Sequence, residues 1–408
     1  MKKGGRSDGG AELGGRFIAS DPLRGVAAFV VVATHCAALA GLAFAFRGMP
    51  WTAFHNAPLL TIESGTFAVW IFFTLSAYLL GRPFIAAYVS DRPLPDVGAY
   101  LYNRGARVLP AMIAVIAITL LAVGRSGSSW GSLAAIPLFG QVYFPSPLAH
   151  GVASQLWTLD VEVPFYILLP VIAWAAMRAT PPSWSPATRR RALLLGIVAL
   201  GAGSLSLLRL VGVNDVDRQK WFPMMASSFT PGLALALLET SVPGWLRDPV
   251  RGRRVALGML LAALLVVVYY VASLPHPNLI LRTLAASVGS GLIVGAALVH
   301  QWSTGGCWRA LDNRPLHWLG KRAYSLYLFH LLVLAKLIVP LDRHPGPLAW
   351  LVYLSAGMAV LIPLTAISYR LLERPFLVRR RAWRSPAERA PAMPPAQPAI
   401  PVVLPAEP

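Results

Sequence analysis

The stretch DPLRGVAAFVVVATHCAALAGLAFAF, residues 21–46, decides how this chain is read: it is a long apolar run with Arg24 at its start and His35 within it. On an α-helix the interval between them is about 16.5 Å of rise and about three full turns, so the two side chains share one face. If the run spans a bilayer from its basic end, Arg24 lies at the surface and His35 near the midplane of a hydrocarbon core ~30 Å thick. An ionisable side chain at that depth is costly to bury and reads as functional by default.

The rest of the chain has the same character. Its 408 residues are 56% hydrophobic and 13% charged, against about 25% charged in ordinary soluble domains. The apolar residues come in uninterrupted blocks at 24–46, 64–84, 108–124, 157–177, 191–211, 223–240, 254–274, 280–300, 318–340 and 348–372. Blocks of this length predict an all-α, polytopic transmembrane helical bundle of about ten spans. Residues 132–144 are too short and Pro-broken to add another.

A net charge of +19 raises the question of a nucleic-acid partner, and the placement of the basic residues answers it. They cluster in every second loop, with a bias of roughly four to one, which is the positive-inside pattern of a multi-pass protein of the cell membrane with both termini cytoplasmic. The partner this implies is the lipid bilayer, and no nucleic acid is needed. The two cysteines, Cys36 and Cys307, give no disulfide framework. The first apolar run begins late and continues to Phe46, which favours a retained helix over a cleaved signal peptide. Residues 1–20 are Gly-rich and 381–408 Pro/Ala-rich, so both are expected to be disordered, leaving 21–380 as one membrane domain.

Few ionisable groups fall inside the spans. His330 lies near mid-depth on the ninth, and Glu162 is ~7 Å from the outer end of the fourth. Asp160 and Glu162 are about 200° apart around a helix, so only one of them can face the histidines. Lys336 reads as snorkelling outward. Arg104 and Arg107, spaced i, i+3, share a face at the predicted start of the third span, with Pro110 in its first turn. Beside Arg24 they would form a forked phosphate site, and ordinary positive-inside anchoring also accounts for them. No metal site is expected.

Five segments together resemble the acyltransferase 3 family of integral-membrane O-acyltransferases. They are Arg24-Gly25 with His35; VWIFFTLSAYLL with Phe72, Phe73, Leu75 and Ser76; the basic run Arg104, Arg107 and Pro110; LWTLDVEVPFYILLP with Trp157, Leu159, Glu162, Phe165 and Tyr166; and LGKRAYSLYLFH with Tyr324, Ser325, Tyr327 and His330. Glu373-Arg374-Pro375 closes the chain as it does in that family. The sequence departs from the family pattern at Ala77, where a glycine is usual, at Thr158, where a serine is, and at Pro164.

The resemblance implies transfer of an acyl group, most often acetyl, from a cytoplasmic acyl-CoA to a hydroxyl, usually on a carbohydrate or glycosylated small molecule, with no permanently bound cofactor. Donor phosphates would rest on Arg24, Arg104 and Arg107, with the pantetheine arm running towards His35. An alcohol is a poor nucleophile at neutral pH, and a positioned base such as His35 is worth about 10²- to 10⁴-fold. Direct attack is favoured over an acyl-enzyme, because Ser76 and Ser325 read as interface packing. Glu162 would orient the acceptor or the imidazole, and His330, Tyr324 or Tyr327 would donate to the oxyanion. Trp51, Trp130, Trp157 and Trp221 fit either sugar stacking or an interfacial belt. The main rival is a proton-coupled transporter or flippase of a glycan or lipid-linked sugar, in which the same groups form a proton relay.

Overall fold

The computed structural model describes residues 16–40, 57–212, 215–272, 278–338 and 347–379. Residues 381–408, most of 1–20, and Trp51 lie outside them. Among the described residues every regular element is helical, as expected. The main helices are α1 (Ser20–Leu39), α2 (Ala57–Val89), α3 (Val97–Val123), α4 (Trp157–Ala179), α5 (Pro186–Val211), α6 (Thr230–Glu239), α7 (Pro249–Ala272), α8 (Leu279–Thr304), α9 (Arg314–Lys321), α10 (Ala323–Val333), α11 (Pro347–Ser368) and α12 (Arg374–Val378).

Seven helical stretches are long and apolar enough to cross a membrane: Phe67–Val89, Val97–Val123, Ser154–Ala179, Pro186–Val211, Pro249–Val271, Leu279–Thr304 and Leu348–Val378. The chain is therefore a multi-pass membrane protein. The other three of the ten predicted blocks take different forms. The first is the 20-residue α1, with Asp21 and Arg24 in its first turns. The block at 223–240 breaks into Phe222–Met225, a 3₁₀ turn at Ala226–Phe229 and the short α6. Pro223 and Pro231 sit at the starts of the two flanking pieces, where proline's missing N–H and fixed φ are tolerated. The block at 318–340 divides at Arg322 into α9, α10 and a π-helical turn at Leu334–Ile338.

The third span also differs from its predicted start at residue 108. Asp96 caps α3 by accepting from the Ala99 N–H, so the helix begins at Val97. Arg104 and Arg107 consequently lie about 10 and 15 Å along the helix rather than at its mouth. Pro110 stands inside the helix instead of in its first turn.

Helix α2 is the centre of the bundle. Of its most apolar window 72% is buried, against 17% for those of α5 and α7, whose bare apolar faces are suited to lipid. Around Phe73 the rings of Trp70, Trp157 and Phe229 pack at 5.2–6.4 Å between centroids, and Phe165 stacks on Phe229 at 4.2 Å. Polar pairs tie α2 to its neighbours: the Thr74 and Ser290 hydroxyls are 2.9 Å apart, and Arg82 Nε donates to Glu239 at 2.6 Å. Arg189 at the head of α5, only 2% exposed, pairs with Asp91 at 2.9 Å and donates to the Tyr88 carbonyl.

Two glycines set the closest approaches. On α6, a Cβ at Gly232 would run into the Thr74 carbonyl and the Ala77 side chain of α2, so this contact puts its glycine on α6 where the family pattern puts one at position 77. Where α1 crosses α9, a Cβ at Gly320 would collide with the Asp21 carbonyl, and one at Gly25 would lie 2.9 Å from the Leu316 oxygen. The glycine beside Arg24 thus lets α1 lie backbone to backbone on α9. Gly320→Ala is expected to cost about 1–3 kcal/mol through overpacking, read as a lowered thermal unfolding midpoint in detergent. Gly196→Ala, where an added Cβ meets nothing within 4 Å, should not lower it.

Candidate active site

A cavity of about 90 Å³ opens between α1, α2, α3, α4 and α10. Five helices put chemistry into it: Arg24 from α1, Ser76 from α2, Arg104 and Arg107 from α3, Glu162 and Tyr166 from α4, and Tyr324 and Tyr327 from α10. Thr158, at the position where the family pattern has serine, lines it as well, as do Phe72 and Phe73. Most of the site residues expected from the sequence are thus brought to one place. The exceptions are His35, His330, Trp157 and Ser325.

Charge in the cavity is unbalanced. Glu162 accepts from the Ser76 hydroxyl at 2.9 Å on one oxygen and from the Tyr166 phenol at 2.6 Å on the other. Against this one carboxylate stand three guanidiniums. Among the described residues the ion-pair contact of Arg24 is a long one to Asp21, 3.9 Å, and that carboxylate is already engaged by Arg16 at 2.6 Å. Arg107 is 3.6 Å from Glu373, while Arg104 has no ion pair among the described residues and its buried Nε has no hydrogen-bond partner. Such a lining attracts an anion and can hold it through forked donors.

His330 stands one helical turn beyond Tyr327 on α10, and His35 three turns beyond Arg24 on α1. Their rings meet edge to face at 4.8 Å, which places residues 35 and 330, far apart in the chain, side by side. Nδ1 of His35 lies 2.8 Å from the Val31 carbonyl and Nδ1 of His330 2.6 Å from that of Tyr327. A carbonyl only accepts, so Nδ1 carries a proton in both rings, and each imidazole, when neutral, presents Nε2 as a lone-pair base. Nε2 of His330 is buried and unpartnered. The wall between cavity and histidines is Tyr327, whose ring is 5.6 Å from His330 and 6.2 Å from Phe72.

Several expected roles change with this geometry. Glu162 is bonded to Ser76 and Tyr166 and shares the cavity with the arginines, with no hydrogen bond to either imidazole among the described residues. The Tyr324 hydroxyl donates to the Val108 carbonyl at 2.8 Å and that of Tyr327 to Gln155 at 2.9 Å, which commits both protons to the backbone. Neutral His330 spends its only N–H on Tyr327, so none of the three has a donor free for an oxyanion. Trp157 packs between Phe73 and Lys220, whose ammonium is 5.9 Å from the ring. Burial lowers the pKa of that ammonium, and Asp217 opposes the shift. Trp221 donates to the Val142 carbonyl, and Trp130 is 74% exposed beneath Arg125.

Side chains outside the cavity hold the site in shape, several in roles the sequence did not indicate. Glu373 is fully buried and accepts from Ser325 at 2.5 Å, and the Ser325 and Ser368 hydroxyls are 2.8 Å apart. The Ser325 motif position and the closing Glu373 therefore form one network beneath Arg107. Gln155 donates to the Leu328 carbonyl at 2.7 Å, locking the entry of α4 to α10. Asp160, 1% exposed, accepts from the Val142 N–H at 2.8 Å and pins the 136–156 connection onto α4. Asp160→Ala leaves that buried amide unsatisfied and should cost about 1–3 kcal/mol; faster protease cleavage within 140–150 is the expected readout.

The family model described as an acyltransferase domain (Acyl_transf_3) matches residues 17–369. YrhL of Bacillus subtilis (strain 168), provisionally named a peptidoglycan O-acetyltransferase, is 27% identical over 80% of this chain and 52% of its own length. The peptidoglycan O-acetyltransferase OatA of Listeria monocytogenes is 24% identical over 77% of this chain and 51% of its own. SAR0937 of Staphylococcus aureus (strain MRSA252), provisionally named an O-acetyltransferase, is 23% identical over 79% and 55%. The chain spans about half the length of these curated relatives. No solved structure matches it. With the family model covering most of the chain and the motif residues of five segments gathered in and around one cavity, the protein belongs to the acyltransferase 3 family.

Proposed function

We propose that the chain is a membrane O-acyltransferase that moves an acyl group, acetyl in the simplest case, from a cytoplasmic acyl-CoA to a hydroxyl of a glycan, with His35 as general base. The observation that carries this reading is the cavity itself. Three guanidiniums and one carboxylate converge inside the bundle, and Tyr327 is shared between that cavity and a pair of neutral imidazoles. The relatives' names supply the acceptor class, since two of them refer to peptidoglycan.

In this reading the end of the bundle bearing Arg24 faces the cytoplasm, as the loop charges favour. Donor phosphates rest on Arg24, Arg104 and Arg107 through charge-assisted hydrogen bonds. The thioester reaches past Tyr327 and Phe72 towards His35. Nε2 of His35 takes the proton of the acceptor hydroxyl as its oxygen attacks the thioester carbonyl. The tetrahedral intermediate collapses by breaking the C–S bond. The departing thiolate takes the proton back from the imidazolium, so the products are an ester and free coenzyme A thiol, and the imidazole is neutral again. Glu162, held by Ser76 and Tyr166, accepts from a second hydroxyl of the acceptor and fixes which oxygen is presented.

His35→Ala is expected to lower kcat for thiol release in the presence of a glycan acceptor by about 10²- to 10⁴-fold. Arg24→Ala should chiefly raise KM for the thioester. Near wild-type turnover by folded His35→Ala protein would overturn the base assignment. Glycan movement across vesicles without thiol release would favour the transporter reading instead.

A further inference from the structure

A second concavity of about 600 Å³ lies between α9 and the last described turns, Tyr369–Glu373 and α12. Arg314, Lys321, Arg322, Arg370 and Arg374 converge on it. Among the described residues none of these five makes an ion pair; the pocket's His317 is bonded to Asp312 at 2.9 Å. Glu373 is adjacent in sequence, but it is fully buried and turned to Ser325 and Arg107. Surface anchors point singly into solvent. Here the cations share one hollow.

Arg322 shows that the hollow is built rather than accidental. Its guanidinium lies 4.1 Å over the Trp318 ring and 4.8 Å from that of Tyr369, so two aromatic faces fix its plane. One amino nitrogen donates to the Trp318 carbonyl at 3.0 Å, while the buried Nε has no partner. A planar fork held in place with an unused donor suits a phosphate oxygen, and the four flanking cations supply the charge that a dianion requires.

We propose that this pocket binds a phosphate-bearing anion at a site separate from the central cavity. The inference goes beyond the acyl-transfer reading and stands whether or not that reading does. Two sources carry this chemistry. Ile367 and Leu371, beside the pocket on the same segment, are exposed and apolar, which fits the acyl chains of an anionic phospholipid. Arg322 is followed directly by Ala323 and Tyr324 of the central cavity, which fits the nucleotide end of a donor.

The test uses the full chain with two probes. One is adenosine 3′,5′-bisphosphate, read by its shift of the thermal unfolding midpoint. The other is phosphatidylglycerol in phosphatidylcholine nanodiscs, read as lipid retained in native mass spectrometry. At least one probe should bind, and Arg370→Ala/Arg374→Ala, which alters two exposed side chains, should weaken that binding about tenfold or more. Arg309→Ala, exposed and outside the pocket, should not weaken it. Retention of phosphatidylglycerol alone identifies a lipid headgroup, response to the nucleotide alone a nucleotide phosphate, and competition between them the shared chemistry. The proposal fails if the wild-type chain binds neither probe, or if the double variant binds as the wild type does.

Discussion

A guanidinium does not give up its proton, so a helical bundle that draws Arg24, Arg104 and Arg107 into its interior has to arrange everything else around three fixed positive charges. The rest of the site follows from that constraint. Glu162 supplies part of the compensation and is itself held by two hydroxyls, from Ser76 and Tyr166. Glu373 supplies another part from behind Arg107, held by Ser325. Arg104 is left without a carboxylate of its own among the described residues. The remaining positive charge makes the cavity a place for an anion, and it exists because the surrounding helices pay for it with buried hydroxyls.

The distribution of apolar surface shows how such a cavity is kept rigid. The outer helices α5 and α7 leave most of their apolar faces bare, whereas α2 is enclosed on nearly every side. Polar pairs lock the helices around α2, such as Thr74 with Ser290 and Arg82 with Glu239. Backbone crossings at Gly320 and Gly232 then remove the slack that side chains would introduce. Ser76, Arg24 and Glu162 are therefore presented from elements whose relative positions are fixed by contacts outside the cavity.

Much of this was legible in the sequence, and the failures have physical causes. Uniformly apolar blocks announce themselves, so the seven long helices were found, while the pieces around Pro223, Pro231 and Arg322 look continuous to hydropathy although their backbones are not. The depth of Arg104 and Arg107 was misjudged because α3 begins with a polar turn capped by Asp96, and a polar stretch of helix inside protein leaves no hydropathy signal. Motif positions identified which residues gather, yet not which way they turn. The commitment of the Tyr324 and Tyr327 hydroxyls to backbone carbonyls depends on neighbours far away in the chain. Asp160 and Glu373 were named in the sequence without a role for the same reason: their partners, Val142 and Arg107, lie at distances along the sequence that no local pattern spans.

The pairing of Arg107 with Glu373 also bears on how the protein is made. Ribosomes deliver the chain from its N-terminus at about 5–20 residues per second, so α3 emerges on the order of tens of seconds before its counter-ion leaves the exit tunnel. Throughout that interval Arg107 is without the carboxylate that flanks it in the finished fold. Only when Glu373 arrives can that pair form, so this corner of the cavity is completed late in assembly.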